Sequence, residues 1–354
     1  MNSLPKTPAD TGASNLRGSS AEELLQVESL SLSLQLGDLT VSPIDEISFA
    51  LNERETVCLV GESGSGKSLT ALSIMRLIDY EATVSYGGDI KFAGESLLKK
   101  SQSEMTQIRG SDIAMIPQEP MTALNPVLRI GKQLEQVGLY HLPRWRHRGT
   151  VRKEYSTRAE KALSDAGINN SREVMRRFPH QLSGGMLQRV MIAMALIAEP
   201  KLIIADEPTT ALDVTTQAQI LKLLRELQDR TRVALLLITH DLAVAAQVAD
   251  RIVVMYAGKI VEEARSVDLF AKPLHPYTAG LLASIPSIDG ARGGSLRSID
   301  GSVPSLGQLP PGCRFAPRCS YATDICRVTA PVCEEICLGT SRRIVSCWHA
   351  KALL

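Results

Sequence analysis

Apolar residues along this chain fall into short unbroken runs, longer helical stretches and a final segment where the pattern dissolves. Glu55–Val60 (ETVCLV) is a β-prone run that stops at Gly61. After a Gly-rich stretch, Ser68–Ile78 (SLTALSIMRLI) is apolar nearly all round, the pattern of a buried helix. Ile113–Ile116, Leu202–Ala205 and Ala234–Ile238 are apolar without alternation, as strands of a parallel sheet covered on both faces are. Ile252–Tyr256 and Lys259–Val261, joined by Ala257-Gly258, predict a hairpin at the end of that sheet. Strand, turn and buried helix followed by further buried strands specify an α/β fold. Between Pro120 and Ser183 the pattern turns helical and more charged, with helices expected over Ile130–Leu139 and Thr157–Ala166. That stretch, about residues 120–183, is expected to be a helical subdomain inserted into the sheet. From about Ala264 onward Pro, Gly and Ser rise and strand patterning fades, which places a domain boundary there. No repeat of 20–50 residues interrupts this order.

Length and charge narrow the picture. At about 150 residues per domain, 354 residues suggest two domains. The balance of 39 Lys and Arg against 38 Asp and Glu leaves a formal net charge of +1 and no basic footprint for nucleic acid. The run Arg144, Arg146, Arg148, Arg152 and Lys153 reads as a solvated face. Met1–Ser20 is polar, rich in Ser, Pro, Thr and Gly, and lacks the apolar stretch of a secretory signal, so residues 1–21 are expected to be a disordered leader. The longest apolar run, Val190–Ala198, is far short of the about 20 residues that cross a bilayer. The protein is expected in the cytosol, or on a membrane through a partner. The expected organisation is a leader at 1–21, a main domain at 22–263 and a C-terminal domain at 264–354.

The chemistry concentrates where the first strand meets the first helix. Gly61-Glu-Ser-Gly-Ser-Gly-Lys-Ser68 matches G-x-x-x-x-G-K-[ST], the phosphate-binding loop. Glycines let the backbone wrap so that several N–H groups face the phosphates, and the helix that follows presents its positive end. Lys67 reaches the β- and γ-phosphates and the Ser68 hydroxyl can ligate Mg²⁺. Leu202-Ile-Ile-Ala-Asp-Glu207 supplies the second half: an apolar strand that ends in carboxylates. Asp206 is expected beside the metal, and Glu207 where it orients the attacking water and accepts its proton.

Leu182-Ser-Gly-Gly-Met-Leu-Gln188 lies between these two halves, and with it the sequence resembles the ABC ATPases. Their signature reads Leu-Ser-Gly-Gly-Gln in most members; here Met186 replaces the Gln, a departure shared by peptide-importer subunits. Other landmarks follow in family order. Gln118 in Ile116-Pro-Gln-Glu-Pro120 matches the Q-loop, Ala211-Leu-Asp213 the D-loop, and His240 in Ile238-Thr-His-Asp241 the switch histidine. The resemblance implies a RecA-like P-loop core, with nucleotide contacts from Gly61, Ser63, Gly64, Ser65, Gly66, Lys67, Ser68 and Leu69. It implies Mg²⁺ held through Ser68, Gln118 and Asp206. Two such subunits would stack head to tail, so that Ser183, Gly184, Gly185 and Met186 of one face the ATP of the other, near Asp213. His240 would contact the γ-phosphate in its own site. Family members usually stack an aromatic residue on adenine. Leu34–Ile44 holds no Phe, Tyr or Trp, which leaves Leu34 or Ile44 as apolar candidates.

Two further segments, Glu119–Pro126 with Asn125-Pro126 and Lys272-Pro-Leu-His-Pro-Tyr-Thr278, together with the tail Gly312–Cys319, resemble the dipeptide and oligopeptide importer ATPases, to which nickel importers are close relatives. That resemblance implies a second, related ATPase subunit as partner in a heterodimer, and two transmembrane permease subunits. An external solute-binding protein would act indirectly, and the chain would sit on the cytoplasmic face of the inner membrane. The tail carries Cys313, Cys319, Cys326, Cys333, Cys337 and Cys347, with no C-x₂-C pair, so spacing alone leaves a metal site open. The family pattern in Gly312-Cys-Arg-Phe-Ala-Pro-Arg-Cys319 and the late Cys347-Trp-His349 implies a [4Fe–4S] cluster on Cys313, Cys319, Cys326 and Cys347. Cys58, in the first core strand, reads as a small buried apolar residue.

Overall fold

The computed structural model describes residues 23–352 apart from 38, 81–82, 142–147, 211, 286–298 and 340. The leader and Arg144 and Arg146 of the charged run lie outside the described residues. In chain order the strands and helices are β1 (Glu23–Leu36), β2 (Leu39–Asn52), β3 (Thr56–Val60), α1 (Lys67–Ile74), β4 (Thr83–Phe92), β5 (Glu95–Ser96), α2 (Gln102–Ile108) and β6 (Ile113–Ile116). Then come α3 (Pro120–Ala123), α4 (Ile130–His141), α5 (Arg148–Asp165), α6 (Ser171–Arg176), α7 (Gly184–Leu196), β7 (Leu202–Asp206), α8 (Val214–Thr231), β8 (Ala234–Thr239) and α9 (Leu242–Val248). The chain closes with β9 (Arg251–Tyr256), β10 (Lys259–Arg265), α10 (Ser266–Ala271), α11 (Pro276–Ala283), α12 (Asp324–Val328), β11 (Glu334–Leu338) and β12 (Ser341–Val345).

The main sheet has the order β11-β12-β10-β9-β3-β8-β7-β6, with β6, β7, β8, β3 and β9 mutually parallel. Every residue of β3, β7 and β8 is buried, which is why these strands are apolar without alternation. Their side chains feed two cores. Val57 and Leu59 pack with Ala71 and Ile74 of α1 and with the strands β1 and β2. Cys58 and Val60 pack on the other face with residues of α7, α8 and α9. Cys58 is fully buried, and burial pushes its thiol far above the ordinary range.

A second sheet, β2-β1-β4-β5, is antiparallel and was not anticipated. Its signal is present in Leu30-Ser-Leu-Ser-Leu34, where Leu30 and Leu32 are buried and Ser31 and Ser33 are not. That is the period of two of a strand with one covered face.

Helix α1 ends at Ile74, four residues short of the expected Ile78. Arg76 turns left-handed at φ 49°, and the amides of Arg76 and Leu77 return to the carbonyls of Ser73 and Leu72 at 3.0 and 2.9 Å. That is a Schellman stop, here with Arg in the place usually taken by Gly. Its ion pair with Asp79 at 2.7 Å helps hold the turn.

The hairpin of β9 and β10 forms as expected but does not end the sheet. The tail returns and pairs β12 with β10, Glu262 opposite Val345, and β11 closes the edge. β10 runs unbroken through residues 263 and 264. Strand patterning faded in the tail because β11 is exposed at most positions. The expected helices over Ile130–Leu139 and Thr157–Ala166 are present and longer, as α4 and α5.

Candidate functional site

The loop between β3 and α1 is built tightly. A Cβ added at Gly61 would lie 2.2 Å from the Met255 carbonyl oxygen, so only glycine lets the loop pass under β9. The Ser65 carbonyl accepts the Gly258 amide at 2.9 Å, which ties the loop to the β9–β10 turn. Gly66 is the N-cap of α1, and the first amides of that helix have no partner within it. The Ser65 Oγ is buried without a hydrogen-bond partner among the described residues. Free amides, an orphaned hydroxyl and a helix N-terminus together fit an anion with many oxygens.

Lys67 is almost fully buried, and its Nζ donates to the carbonyls of Gly61 at 2.8 Å and Glu62 at 2.9 Å. Desolvation lowers its pKa, opposed by Glu207, Asp206 and Glu62. Asp206, the last residue of β7, accepts the Ser68 hydroxyl at 3.0 Å. Burial raises its pKa and the like charge of Glu207 adds to this, while Ser68 and Lys67 act in the opposite direction. A hydroxyl and a carboxylate held in contact beside a phosphate cradle suit Mg²⁺, which is commonly bound by one or two carboxylates plus phosphate oxygens.

Glu207 takes φ 46°, a left-handed conformation that a side chain adopts only at a cost. Its amide still bonds to the Ile238 carbonyl at 2.9 Å, so the strand pairing sets where the residue turns. Three groups converge on its Oε2: Gln118 Nε2 at 3.2 Å, Thr210 Oγ1 at 2.8 Å and His240 Nδ1 at 3.3 Å. Gln118 comes from the segment after β6 and His240 from the end of β8, so neighbouring parallel strands deliver all of these groups at their C-terminal ends.

Ser183 and Gly185 stand elsewhere, at the start of α7. The Ser183 side chain caps α7 through the Met186 amide at 3.4 Å. A Cβ at Gly185 would meet Thr216 Cγ2 at 2.6 Å, so this helix end packs on α8. Asp213 caps α8 through the Thr216 amide at 3.0 Å and hydroxyl at 2.7 Å, bonds that hold its carboxyl below the usual range. Ala211 lies outside the described residues. Ile44 is sealed in the core beneath Gly66, which leaves half-buried Leu34 of the two apolar candidates for the base.

Sequence reasoning did not assign Thr210, Glu62, Tyr277 or Arg318. The Glu62 amide donates to the Tyr277 hydroxyl at 2.9 Å, and its carboxylate accepts Arg318 Nη1 at 3.0 and 3.1 Å. Both tail residues lie in segments that had marked the importer class, without any signal that they touch the loop.

In the tail, Cys313 and Cys326 are joined by a backbone bond of 2.8 Å. Burial pushes the Cys347 thiol up to about 11, with Cys313, Cys319 and Cys326 near enough to add to the effect. Cys337 stands apart, exposed beside Glu335. Among the described residues, no three His, Cys, Asp or Glu are grouped as metal ligands.

A phosphate loop facing a carboxylate pair across a parallel sheet defines a P-loop nucleotide hydrolase. The ABC transporter family matches residues 44–210, and the family described as oligopeptide/dipeptide transporter, C-terminal region, matches residues 261–326. The chain is 47% identical over 325 residues to the oligopeptide transport ATP-binding protein AppD of Bacillus subtilis (strain 168), covering 92% of this chain and 96% of that one. It is equally 47% identical over 328 residues to the dipeptide transport ATP-binding protein DppD of the same organism, covering 92% and 95%. Among solved structures, a dimeric ATP-binding cassette in a post-hydrolysis state with ADP and Pi matches with a TM-score of 0.59 at 28% identity, over 68% of this chain and 98% of that one. The chain belongs to the ABC transporter family, among its oligopeptide/dipeptide-type ATP-binding proteins. It has the ABC ATPase fold, binds ATP and hydrolyses it.

Proposed function

We propose that this chain drives uptake of di- and oligopeptides across the bacterial inner membrane. In this reading it is bound peripherally to the cytoplasmic face through two permease subunits and paired with a second ATPase. The observation that carries the reading is the joint presence of the nucleotide site and a tail matching the oligopeptide/dipeptide transporter family. No helix among the described residues is long and apolar enough to cross a membrane, so permeases would supply the pathway. A solute-binding protein outside the membrane would deliver the cargo.

The geometry of the site supports these roles. The loop amides of Gly61, Ser63, Gly64, Ser65, Gly66, Lys67, Ser68 and Leu69 cradle the phosphates, and Lys67 exchanges its carbonyl partners for phosphate oxygens. Ser68, Asp206 and Gln118 would hold Mg²⁺, whose charge offsets that of the phosphates when it is bound. Glu207 orients the water and takes its proton; Gln118, Thr210 and His240 fix the carboxylate that does so. Ser183, Gly184, Gly185 and Met186 serve the partner's ATP, with Asp213 bracing the helix behind them. The helices of residues 120–183 form the inserted subdomain. Residues 264–354 form a second, Cys-rich domain that shares the sheet of the 22–263 domain through β12.

Purifying the tagged chain from detergent-solubilised membranes tests the transport reading. Two multi-span permeases and a second ATPase are expected to co-purify. Recovery with ribosomes, or from the soluble fraction alone, would leave the ATPase standing and remove the transport role.

Cys313, Cys319, Cys326 and Cys347 are proposed to hold a [4Fe–4S] cluster. What supports this reading is the donor chemistry, four thiols of which Cys313, Cys319 and Cys326 lie near enough to act on Cys347, although among the described residues they are not grouped as metal ligands. Protein purified without oxygen is expected to be brown and to carry four irons per chain. Cys326→Ser should lose both colour and iron, whereas Cys337→Ser should keep them. Colourless, iron-free wild-type protein reconstituted with iron and sulfide would end this reading.

A further inference from the structure

We infer that the C-terminal segment holds the phosphate-binding loop in shape through Arg318 and Tyr277, which makes both positioning residues for ATP binding. The inference rests on Gly61–Ser68 being the nucleotide site.

Glu62 is the second residue of the loop, and its three polar groups are all committed. Its amide donates to the Tyr277 hydroxyl, its carboxylate receives Arg318, and its carbonyl accepts the Lys67 ammonium at 2.9 Å. Two of the three anchors come from residues more than two hundred positions away. The third is the lysine that must meet the phosphates. Where the tail sets Glu62 therefore decides where Lys67 waits.

Arg318 is built to be rigid before it meets Glu62. Its Nε donates to the Asp300 carbonyl at 2.8 Å and its Nη2 to the Ile299 carbonyl at 3.1 Å. The guanidinium lies 5.7 Å from the centre of the Tyr256 ring and 6.0 Å from that of Phe315, and the side chain is 6% exposed. Tyr277 is fully buried, edge-on to Tyr256 with ring centres 4.7 Å apart. A planar guanidinium locked by packing and carbonyls presents its remaining edge to a carboxylate with little left to order.

A second contact acts on the other end of the loop. Arg314 bonds to the Ala257 carbonyl and to Asp45, and the adjoining Gly258 amide donates to the Ser65 carbonyl at 2.9 Å. Arg314 and Arg318 both lie between Cys313 and Cys319. One short tail loop thus braces the phosphate loop at Glu62 and at Ser65. A loop ordered in advance binds its ligand more tightly because less freedom is lost on binding.

The test uses the full chain, with the Kd of a fluorescent ATP analogue measured alongside KM and kcat. Arg318→Ala and Glu62→Ala are each expected to raise the ATP Kd and KM about five- to tenfold, with kcat at saturation changing less than about twofold. Arg318→Lys should recover part of the loss, and the double variant should bind no worse than either single one. Glu62→Ala leaves the bonds of Arg318 to Ile299 and Asp300 in place, so its effect does not report tail unfolding. In a Trp145→Phe background, Trp348, whose indole N–H donates to the Thr329 carbonyl at 3.0 Å, reports the tail's integrity by fluorescence. An ATP Kd within twofold of wild type in both single variants, or effects that simply add in the double, would overturn the clamp. Wild-type protein that binds no ATP would instead overturn the site on which the inference rests.

Discussion

Glu207→Gln is expected to stop turnover while leaving ATP bound. The substitution keeps the size of the side chain and a carbonyl oxygen for Gln118, Thr210 and His240, but removes the charge that accepts a proton from water. General bases of this kind contribute about 10²–10⁴-fold to the rate, so phosphate release should fall by at least about a hundredfold. Binding should persist, because Lys67, Ser68 and the loop amides are untouched. Removing a like charge beside Asp206 also relieves one of the influences that raise its pKa. Filter retention of radiolabelled ATP together with phosphate release separates the two effects. Turnover within tenfold of wild type would remove Glu207 as the base and shift attention to His240. Lost ATP retention would mean instead that the strained turn at φ 46° needs the carboxylate to form.

The second large effect concerns the joint between tail and core. Arg343 of β12 is 2% exposed and lies 3.8 Å from Glu262 of β10, which is fully buried. Glu262 also accepts the amides of Leu274 and His275 at 2.8 and 2.9 Å. Arg343→Ala strands that carboxylate, and breaking a buried pair typically costs about 3–5 kcal/mol. The cost should depend on pH. Burial already raises the Glu262 pKa, and its two amide partners and Arg343 lower it. Without Arg343 it rises further. A folded pKa above the unfolded one means that the native state binds more protons in the window between them, so stability falls as pH rises through it. The window opens near the free glutamate value of about 4.3 and extends upward. Arg343→Ala should therefore destabilise the tail more at about pH 8 than at about pH 5.5. Urea unfolding followed by Trp348 in a Trp145→Phe background reads this directly. Equal loss at both values would mean that the cavity, not the stranded charge, sets the cost.

The nucleotide site was legible because its chemistry is local in sequence. The loop from Gly61 to Ser68 is contiguous, and the glycine that passes beneath Met255 occupies the position the motif requires. Asp206 and Glu207 were legible because a buried parallel strand announces its own end. Gln118 and His240 were found through family order, and the structure brings both onto one oxygen of Glu207. The antiparallel sheet of β1, β2 and β4 was missed although its alternating leucines were in plain view. Thr210 was missed because a threonine four residues past the end of β7 carries no pattern of its own.

Other features depend on contacts between distant parts of the chain. The end of α1 at Ile74 rests on Arg76 adopting a left-handed turn, which residue identity does not favour and the pair with Asp79 supports. The tail looked like a separate, loosely patterned piece because β11 and β12 are short and largely exposed on one side. Their pairing with β10, and the reach of Arg318 and Tyr277 to Glu62, come from long-range geometry. Residue order alone established an α/β P-loop ATPase and the chemical groups of its site, since motif chemistry and strand burial repeat at short range. Which groups meet, and that the C-terminal segment bonds to the Gly61–Ser68 loop at Glu62, followed from packing, where partners some two hundred residues apart leave no periodic trace in the chain.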